Sequence, residues 1–404
     1  MSVPEAGGAE GEDVVCLMDY NSILSDKVQG LVPSGIRKFF DILNEMKDAI
    51  SLGVGEPDFV TPWHIRNAGI YSLEKGHTKY PSNAGMLSLR KEISTYLSRR
   101  FDLNYDPASQ ILVTVGGSEA IDLAMRALIN PGDEVIVPVP SFVCYGPLVS
   151  MAGGVPVYIQ TKMENEFRLT PEELRAAITP KTKLVVLPYP CNPTGGIMER
   201  GDLEALVDIF EGTNIMILSD EIYAELTYGL KHTSPANIEA LHQRTIVVNG
   251  FSKCYAMTGW RLGYVCAPEP VITQLTKLHQ FAIMCAPTMS QYAAIAAMKD
   301  GDGDIERMHR EYDRRRKYLV AELPKIGLDC FEPRGAFYVF PSIKSTGLSS
   351  DDFCERLLIS EKVAVISGTA FGEGGEGFVR MCYATSFDEI KEALRRIDRF
   401  IKSL

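Results

Sequence analysis

Short apolar, β-branched segments recur through the middle of the chain, at 111–115, 134–139, 155–159, 184–187, 215–218, 246–248 and 262–266. Helical spacing of apolar residues fills several gaps between them, over 118–129 after the first and 201–210 before the fifth. Strands apolar at nearly every position are buried on both faces, and intervening helices are what can cover them. The pattern therefore predicts an α/β fold: a mostly parallel, seven-stranded sheet that binds ligands at the carboxyl ends of its strands. The loops after these segments become the places to look for chemistry. Thr170-Pro171-Glu172-Glu173 reads as an N-cap, an N1 proline and a capping-box glutamate, and is structural.

Beyond Tyr264 the pattern changes to long charged helices, including 306–323. The run Tyr312-Asp313-Arg314-Arg315-Arg316-Lys317 within it reads as a solvated face. Two strand-like stretches, 335–340 and 378–383, flank a helix at 350–361. A last helix is capped by Ser386 and Glu389, with Ile390, Leu394, Ile397 and Ile401 on one face. The predicted organisation is a disordered tail (1–13), an N-terminal segment (14–60) packing with a small domain, a large domain (61–290) and the small α+β domain (291–404).

With 404 residues, 46% of them hydrophobic, the chain can enclose a site. A net charge of -11 opposes a nucleic acid or an anionic membrane as partner. No apolar run reaches membrane-spanning length, and the acidic, Gly/Ala-rich start is not a secretion signal. Nine cysteines without a CxxC pair, and six histidines without ligand spacing, predict reduced thiols, a cytoplasmic protein and no metal site.

The sixth apolar segment leads into Asn249-Gly250-Phe251-Ser252-Lys253, and Arg261 follows eight residues after the lysine. A lone lysine is usually a solvated surface group. A lysine with a lowered pKa can form a Schiff base with an aldehyde, and a fixed arginine nearby can bind a phosphate. Pyridoxal 5'-phosphate (PLP) needs both.

Other candidates stand where strands end, each with a plain structural reading beside it. Asp220 closes the segment Asn214 to Ser219, so it either caps a following helix or meets a cation, such as a protonated pyridine nitrogen. Tyr223 either packs or donates to a phenolic oxygen. Asn192, in Pro190-Cys191-Asn192-Pro193-Thr194-Gly195-Gly196, lies in a loop fixed by prolines and glycines. Gly117, Ser118 and Glu119 open a helix whose free N–H groups suit a phosphate, or form an ordinary βα turn. Phe142 stacks on a flat ring or fills core. Two motif-like segments are set aside. Gly372 to Gly377 matches GxGxxG but carries acidic fillers and precedes a strand, so it reads as a flexible loop. Residues 298–304 lack the glutamate of a calcium loop and read as a surface turn.

The ordered set Gly55-Glu56-Pro57-Asp58-Phe59, Tyr80, Gly117-Ser118, Phe142, Asn192-Pro193-Thr194-Gly195, Asp220-Glu221-Ile222-Tyr223, Ser252-Lys253 with Arg261, and Arg380 resembles the fold type I, class I PLP-dependent aminotransferases. The resemblance runs from about Ile23 to the C-terminus and implies the aspartate-aminotransferase-like fold and a homodimer with its site at the subunit interface. It implies that Lys253 carries the cofactor as a Schiff base and then moves the proton at the substrate α-carbon. Asp220 pairs with the pyridine nitrogen, Asn192 and Tyr223 bond the ring oxygen, and Phe142 stacks on the ring. The Gly117-Ser118-Glu119 turn, Ser252 and Arg261 hold the phosphate, with Tyr80 reaching in from a second subunit. Arg380 grips the α-carboxylate, near the backbone of Gly55. Many relatives have serine where this chain has Gly250, which implies one missing hydroxyl contact to the phosphate.

The resemblance implies ping-pong transfer of an amino group from an L-amino acid to a 2-oxo acid. The stretches 34–40 and 140–145 and the surroundings of Lys253 are similar to microbial aromatic aminotransferases, and also to enzymes acting on N-acetyl-diaminopimelate. An aromatic donor with 2-oxoglutarate is the favoured pair, with Tyr255, Phe39 and Phe142 as pocket candidates. Aspartate or N-acetyl-diaminopimelate, and a PLP-dependent β-elimination lyase, are the alternatives. A PLP-sensing regulator would need a basic DNA-binding extension that the acidic start does not offer.

Overall fold

The computed structural model describes residues 18–31 and 48–404. The expected tail (1–13), the 34–40 stretch and Phe39 lie outside the described residues. The chain divides into one unit up to Val32 and a second from Pro33 on. In the first, two short helices span Tyr20–Ile23 and Asp26–Gln29, and Asp19 caps the former. The described strands all belong to the second.

Strand β1 (Ile50–Ser51) precedes the seven that build the main sheet: β2 (Ile111–Thr114), β3 (Glu134–Val139), β4 (Val155–Gln160), β5 (Thr182–Leu187), β6 (Met216–Asp220), β7 (Thr245–Gly250) and β8 (Gly263–Cys266). Four shorter ones come after: β9 (Tyr338–Val339), β10 (Val363–Ala364), β11 (Ile366–Ser367) and β12 (Val379–Cys382). The seven predicted apolar segments are the seven strands of the main sheet, in the order β2-β8-β7-β6-β5-β3-β4. All its pairings are parallel except those of β8 with β2 and β7. Because β8 runs backwards, its start lies at the carboxyl edge of the others. Leu262 immediately precedes it, and Arg261, one residue further back, is near that edge. Register places Gly263 opposite both Thr114 and Gly250, and Asp220 opposite Val248.

Helices cover both faces, as strands without a polar side require. The helices Gly116–Leu128 and Glu269–Ala282 bury Ala120, Leu123, Ile272 and Leu275 against β2, β3, β7 and β8 on one face. On the other, Leu203, Leu206 and Phe210 pack on β5 and β6. The predicted 201–210 helix is two short ones, Arg200–Glu204 and Val207–Phe210.

C-terminal to the sheet, β9, β11 and β12 form an antiparallel sheet, and β1 joins β10 in parallel. Leu52, just after β1, enters the same core as Val363, Met381 and Ile390. The helix Phe387–Lys402 has the expected Ser386/Glu389 capping box, and buries Ile390, Leu394 and Ile397 while Ile401 is only part-buried.

Three readings are corrected. The 312–317 run is not simply a solvated face: Arg315 and Arg316 are buried in ion pairs with Asp58 and Glu311, and with Asp313 and Glu332. Residues 298–304 are not a surface turn but the junction of the helices Thr288–Asp300 and Asp302–Glu322. Gly301 is buried there, since a Cβ would meet Ala297 O at 2.4 Å and Tyr255 Cε1 at 2.7 Å. Residues 372–377 are not a free loop. Gly372 and Gly374 lie against Val139 and Gln160, and a Cβ on Gly375 would overlap the Gly368 carbonyl oxygen.

Candidate active site

A cavity of about 450 Å³ opens at the carboxyl edge of the main sheet and is closed by the C-terminal region. Lys253 stands on the turn after β7, which is held by Phe251 and Tyr255, both fully buried, and by Met257 N donating to Ser252 O at 3.1 Å. Its Nζ donates to Gly55 O at 2.6 Å and lies 5.8 Å and 5.7 Å from the ring centres of Tyr223 and Phe337. Loss of water around the amine pushes its pKa down to about 8, with Arg380 and Arg261 adding to the shift and Cys382 and Glu56 opposing it. Gly55 must be glycine for this approach, because a Cβ would meet Tyr338 OH at 2.4 Å.

Asp220 ends β6 and is 8% exposed. Tyr145 OH donates to its Oδ2 at 2.7 Å and Ile222 N to its Oδ1 at 3.2 Å. No regular helix follows β6 directly, so the helix-cap reading falls away. Among the described residues no cation lies within ion-pair distance. Burial pushes the carboxyl above its ordinary range, against the pull of the Tyr145 bond. Tyr223, also buried, shares a 2.8 Å hydroxyl contact with Tyr338.

Asn192 sits on the loop after β5, closed by Cys191 N to Gly196 O at 2.9 Å and Gly195 N to Cys191 O at 2.8 Å. Its Oδ1 accepts from Arg380 Nη1 at 2.8 Å, while Arg380 Nη2 donates to Gly53 O at 2.6 Å. Arg380 projects from β12, 3% exposed, with its guanidinium 4.6 Å and 4.9 Å from the rings of Tyr338 and Phe371. Its Nε is buried and unpartnered among the described residues, and no carboxylate pairs with it. A buried arginine without a counter-anion, facing a cavity, can bind a carboxylate in its planar fork.

The other end of the cavity suits a phosphate. Gly117, Ser118, Ser252 and Arg261 line it. Gly116 takes a φ of +77°, and a Cβ there would lie 2.7 Å from Arg261 Nη2. A Cβ on Gly263 would meet Gly116 C at 2.6 Å and Gly117 N at 2.7 Å, so the start of β8 rests directly on the first turn of the helix Gly116–Leu128. The N–H groups of Gly117 and Ser118 find no protein acceptor among the described residues. The Glu119 side chain turns instead to Val115 N and His279. Gly250 is hemmed in: a Cβ would sit 3.0 Å from Gly263 Cα and 3.1 Å from Ile222 Cδ1.

Phe142 lines the cavity and meets Tyr145 edge-on. Tyr255 does not line it and packs beneath the Lys253 turn. Tyr80 does not line the cavity of its own chain and is 80% exposed. Sequence reasoning missed Tyr145 and Tyr338. Tyr145 lies three residues after Phe142, and that spacing, one helical turn beyond a candidate stacking residue, was the available signal.

Residues 47–397 match the family model described as aminotransferase class I and II. YugH of Bacillus subtilis (strain 168), a putative aminotransferase by name, is 52% identical over 94% of this chain and 98% of its own length. The aspartate aminotransferase of Pyrococcus abyssi (strain GE5 / Orsay) is 44% identical, again over 94% and 98%. The crystal structure of an aromatic aminotransferase from Pyrococcus horikoshii OT3 superposes with a TM-score of 0.86 at 43% identity, covering 90% of this chain and 99% of that one.

Proposed function

The chain belongs to the class I and II aminotransferases, and from that premise we propose that it holds PLP on Lys253 and moves an amino group from an aromatic L-amino acid to 2-oxoglutarate. The observation that carries this reading is a set of unmet charges around one cavity: Lys253 with a lowered pKa, Asp220 without a cation and Arg380 without an anion. PLP fits those vacant partners end to end, because its aldehyde suits Lys253, its ring nitrogen Asp220 and its phosphate the Ser118, Ser252 and Arg261 end. When bound, it supplies an aldehyde that condenses with amines and a ring that accepts the electron pair left at the α-carbon.

The chain's own residues do the rest. Arg380 and Asn192 orient the substrate carboxylate, which fixes the α-carbon beside Lys253. An amine with a pKa near 8 can take the α-proton as a general base, hold it, and give it up again as a general acid. Asp220 stays ionised opposite a cation and keeps the ring nitrogen protonated. Tyr223 and Asn192 donate to the ring oxygen, and Phe142 covers the ring.

Val54, Ile121 and Phe142 give the wall an apolar character that supports an aromatic donor. Aspartate remains the second reading, carried by the aspartate aminotransferase among the similar proteins. A homodimer belongs to the same proposal. Tyr80 and Phe281 stand 80% and 88% exposed, and Asn83 Nδ2 donating to Met284 O at 2.8 Å ties their two segments together, which supports an apolar patch there. Free thiols at the eight described cysteines support a cytoplasmic setting.

The test is half-transamination. Yellow holoenzyme is mixed with one amino acid at a time, and loss of the yellow colour is followed without an acceptor. Aromatic amino acids are expected to bleach it fastest. Release of pyruvate without an acceptor would mark a β-elimination lyase, and turnover by Lys253→Ala would sink the assignment of Lys253.

A further inference from the structure

Strand β2 hands over to the phosphate-facing helix through Val115, Gly116 and Gly117, a turn in which Thr114 Oγ1 donates to Gly116 O at 2.9 Å but no side chain caps the helix. Val115 stands at the N-cap and has no side chain able to cap. Gly116 and Gly117 bring the largest conformational freedom of any residues. A conventional Ser or Asp cap would occupy the N–H of N2 or N3, which are Gly117 and Ser118 here and must stay open for an anion. The turn therefore has to be shaped from outside the donor set.

We propose that Glu119 and His279 form the positioning pair that does this, holding the first helical turn in the geometry that receives a phosphate dianion. Glu119 reaches back with Oε2 to accept the Val115 N–H, closing the turn behind the open donors. Its Oε1 lies 2.8 Å from His279 Nδ1, and since a carboxylate accepts, the imidazole donates. His279 comes from the helix Glu269–Ala282, and its side chain is fully buried. Its Nε2 has no partner among the described residues, so Glu119 is the only polar contact of a ring that is expensive to bury. Neither side chain lines the cavity. They act through the backbone of residues 115–119.

The proposal rests on reading the cavity as a PLP site, and the test separates the two. Cofactor-free protein is titrated with PLP and with pyridoxal, which lacks the phosphate, following intrinsic fluorescence. Wild type is expected to prefer PLP strongly. Glu119→Ala and His279→Leu are expected to weaken PLP by about tenfold while leaving pyridoxal within about twofold. His279→Gln, whose amide can donate toward Glu119, should recover most of the loss. Equal weakening of both ligands, or none, overturns the positioning role, since a general packing defect does not distinguish them. If Glu119→Ala does not fold, the contrast between His279→Leu and His279→Gln decides alone. A wild type that binds both ligands equally would overturn the reading of the cavity itself.

Discussion

Arg315 and Arg380 are similarly hidden, 5% and 3% exposed, yet their surroundings are opposite. Arg315 meets Asp58 at 2.9 Å, Glu311 at 3.0 Å and Tyr383 O at 3.2 Å. Arg380 has one amide oxygen, one carbonyl oxygen, two aromatic faces and an idle Nε. Burying a charge is costly unless it is paired, so a fully compensated arginine ties segments together. An uncompensated one beside a cavity has donors to spare for an anion, the role proposed for Arg380.

The sharpest way to break this comparison is to remove Arg380. Arg380→Ala is expected to lower kcat/KM by on the order of 10³, about 4 kcal/mol, because the substrate carboxylate loses its only buried counter-charge. Stability should hold or rise, since an uncompensated charge leaves the fold. Arg380→Lys should recover little, because a point charge does not replace a fork. A large loss of thermal stability with unchanged kinetics would make Arg380 a second Arg315.

The mirror experiment is Arg315→Ala. It strands Asp58, leaves Glu311 with Arg314 alone, and is expected to cost about 3 kcal/mol in urea denaturation, with KM unchanged in the folded protein. A selective rise in KM at full stability would end the contrast.

How legible each arginine was in the sequence depends on where its partners lie. Asn192, Asp220 and Lys253 could be singled out because an open parallel sheet gathers its strand ends, whereas Arg380, on the small antiparallel sheet, was reached only through the family resemblance. Arg315 was misread because a charged run on a helix looks solvated while Asp58 stands 257 residues away. Tyr145 was invisible as a partner of Asp220 for a related reason. It comes after β3, Asp220 ends β6, and their closeness depends on the strand order β6-β5-β3, which periodicity does not reveal. The glycine junction at Gly301 was lost because spaced aspartates and glycines imitate a turn.

Lys253 extends the comparison to a second cation without a carboxylate partner. Its amine holds a proton less tightly in the folded chain, near 8, than at its ordinary 10.5. It therefore destabilises the cofactor-free fold fully below about pH 8, and the penalty fades as pH rises from about 8 to 10.5. Lys253→Leu should stabilise the cofactor-free protein by about 2 kcal/mol at pH 7, less than the full linkage because the Gly55 bond is lost, and by much less at pH 10. Equal effects in urea melts at the two pH values would mean that the lysine is as compensated as Arg315.

Asp220 completes the set as the unpaired anion, and the smallest expected effect tests how it survives without a cation. Tyr145 OH supplies its one side-chain donor, at 2.7 Å, and opposes the upward push of burial. Tyr145→Phe removes that donor and leaves the burial, so the Asp220 carboxyl should climb further. Since the proposed role of Asp220 needs the ionised form, the acidic limb of the kcat/KM profile should move up by about one pH unit, worth about 1.4 kcal/mol, with little change at its plateau. An acidic limb that stays in place would mean that a cation on the ring nitrogen, once present, compensates Asp220 as completely as Asp58 and Glu311 compensate Arg315. The difference between architecture and site would then lie only in whether the partner is part of the chain.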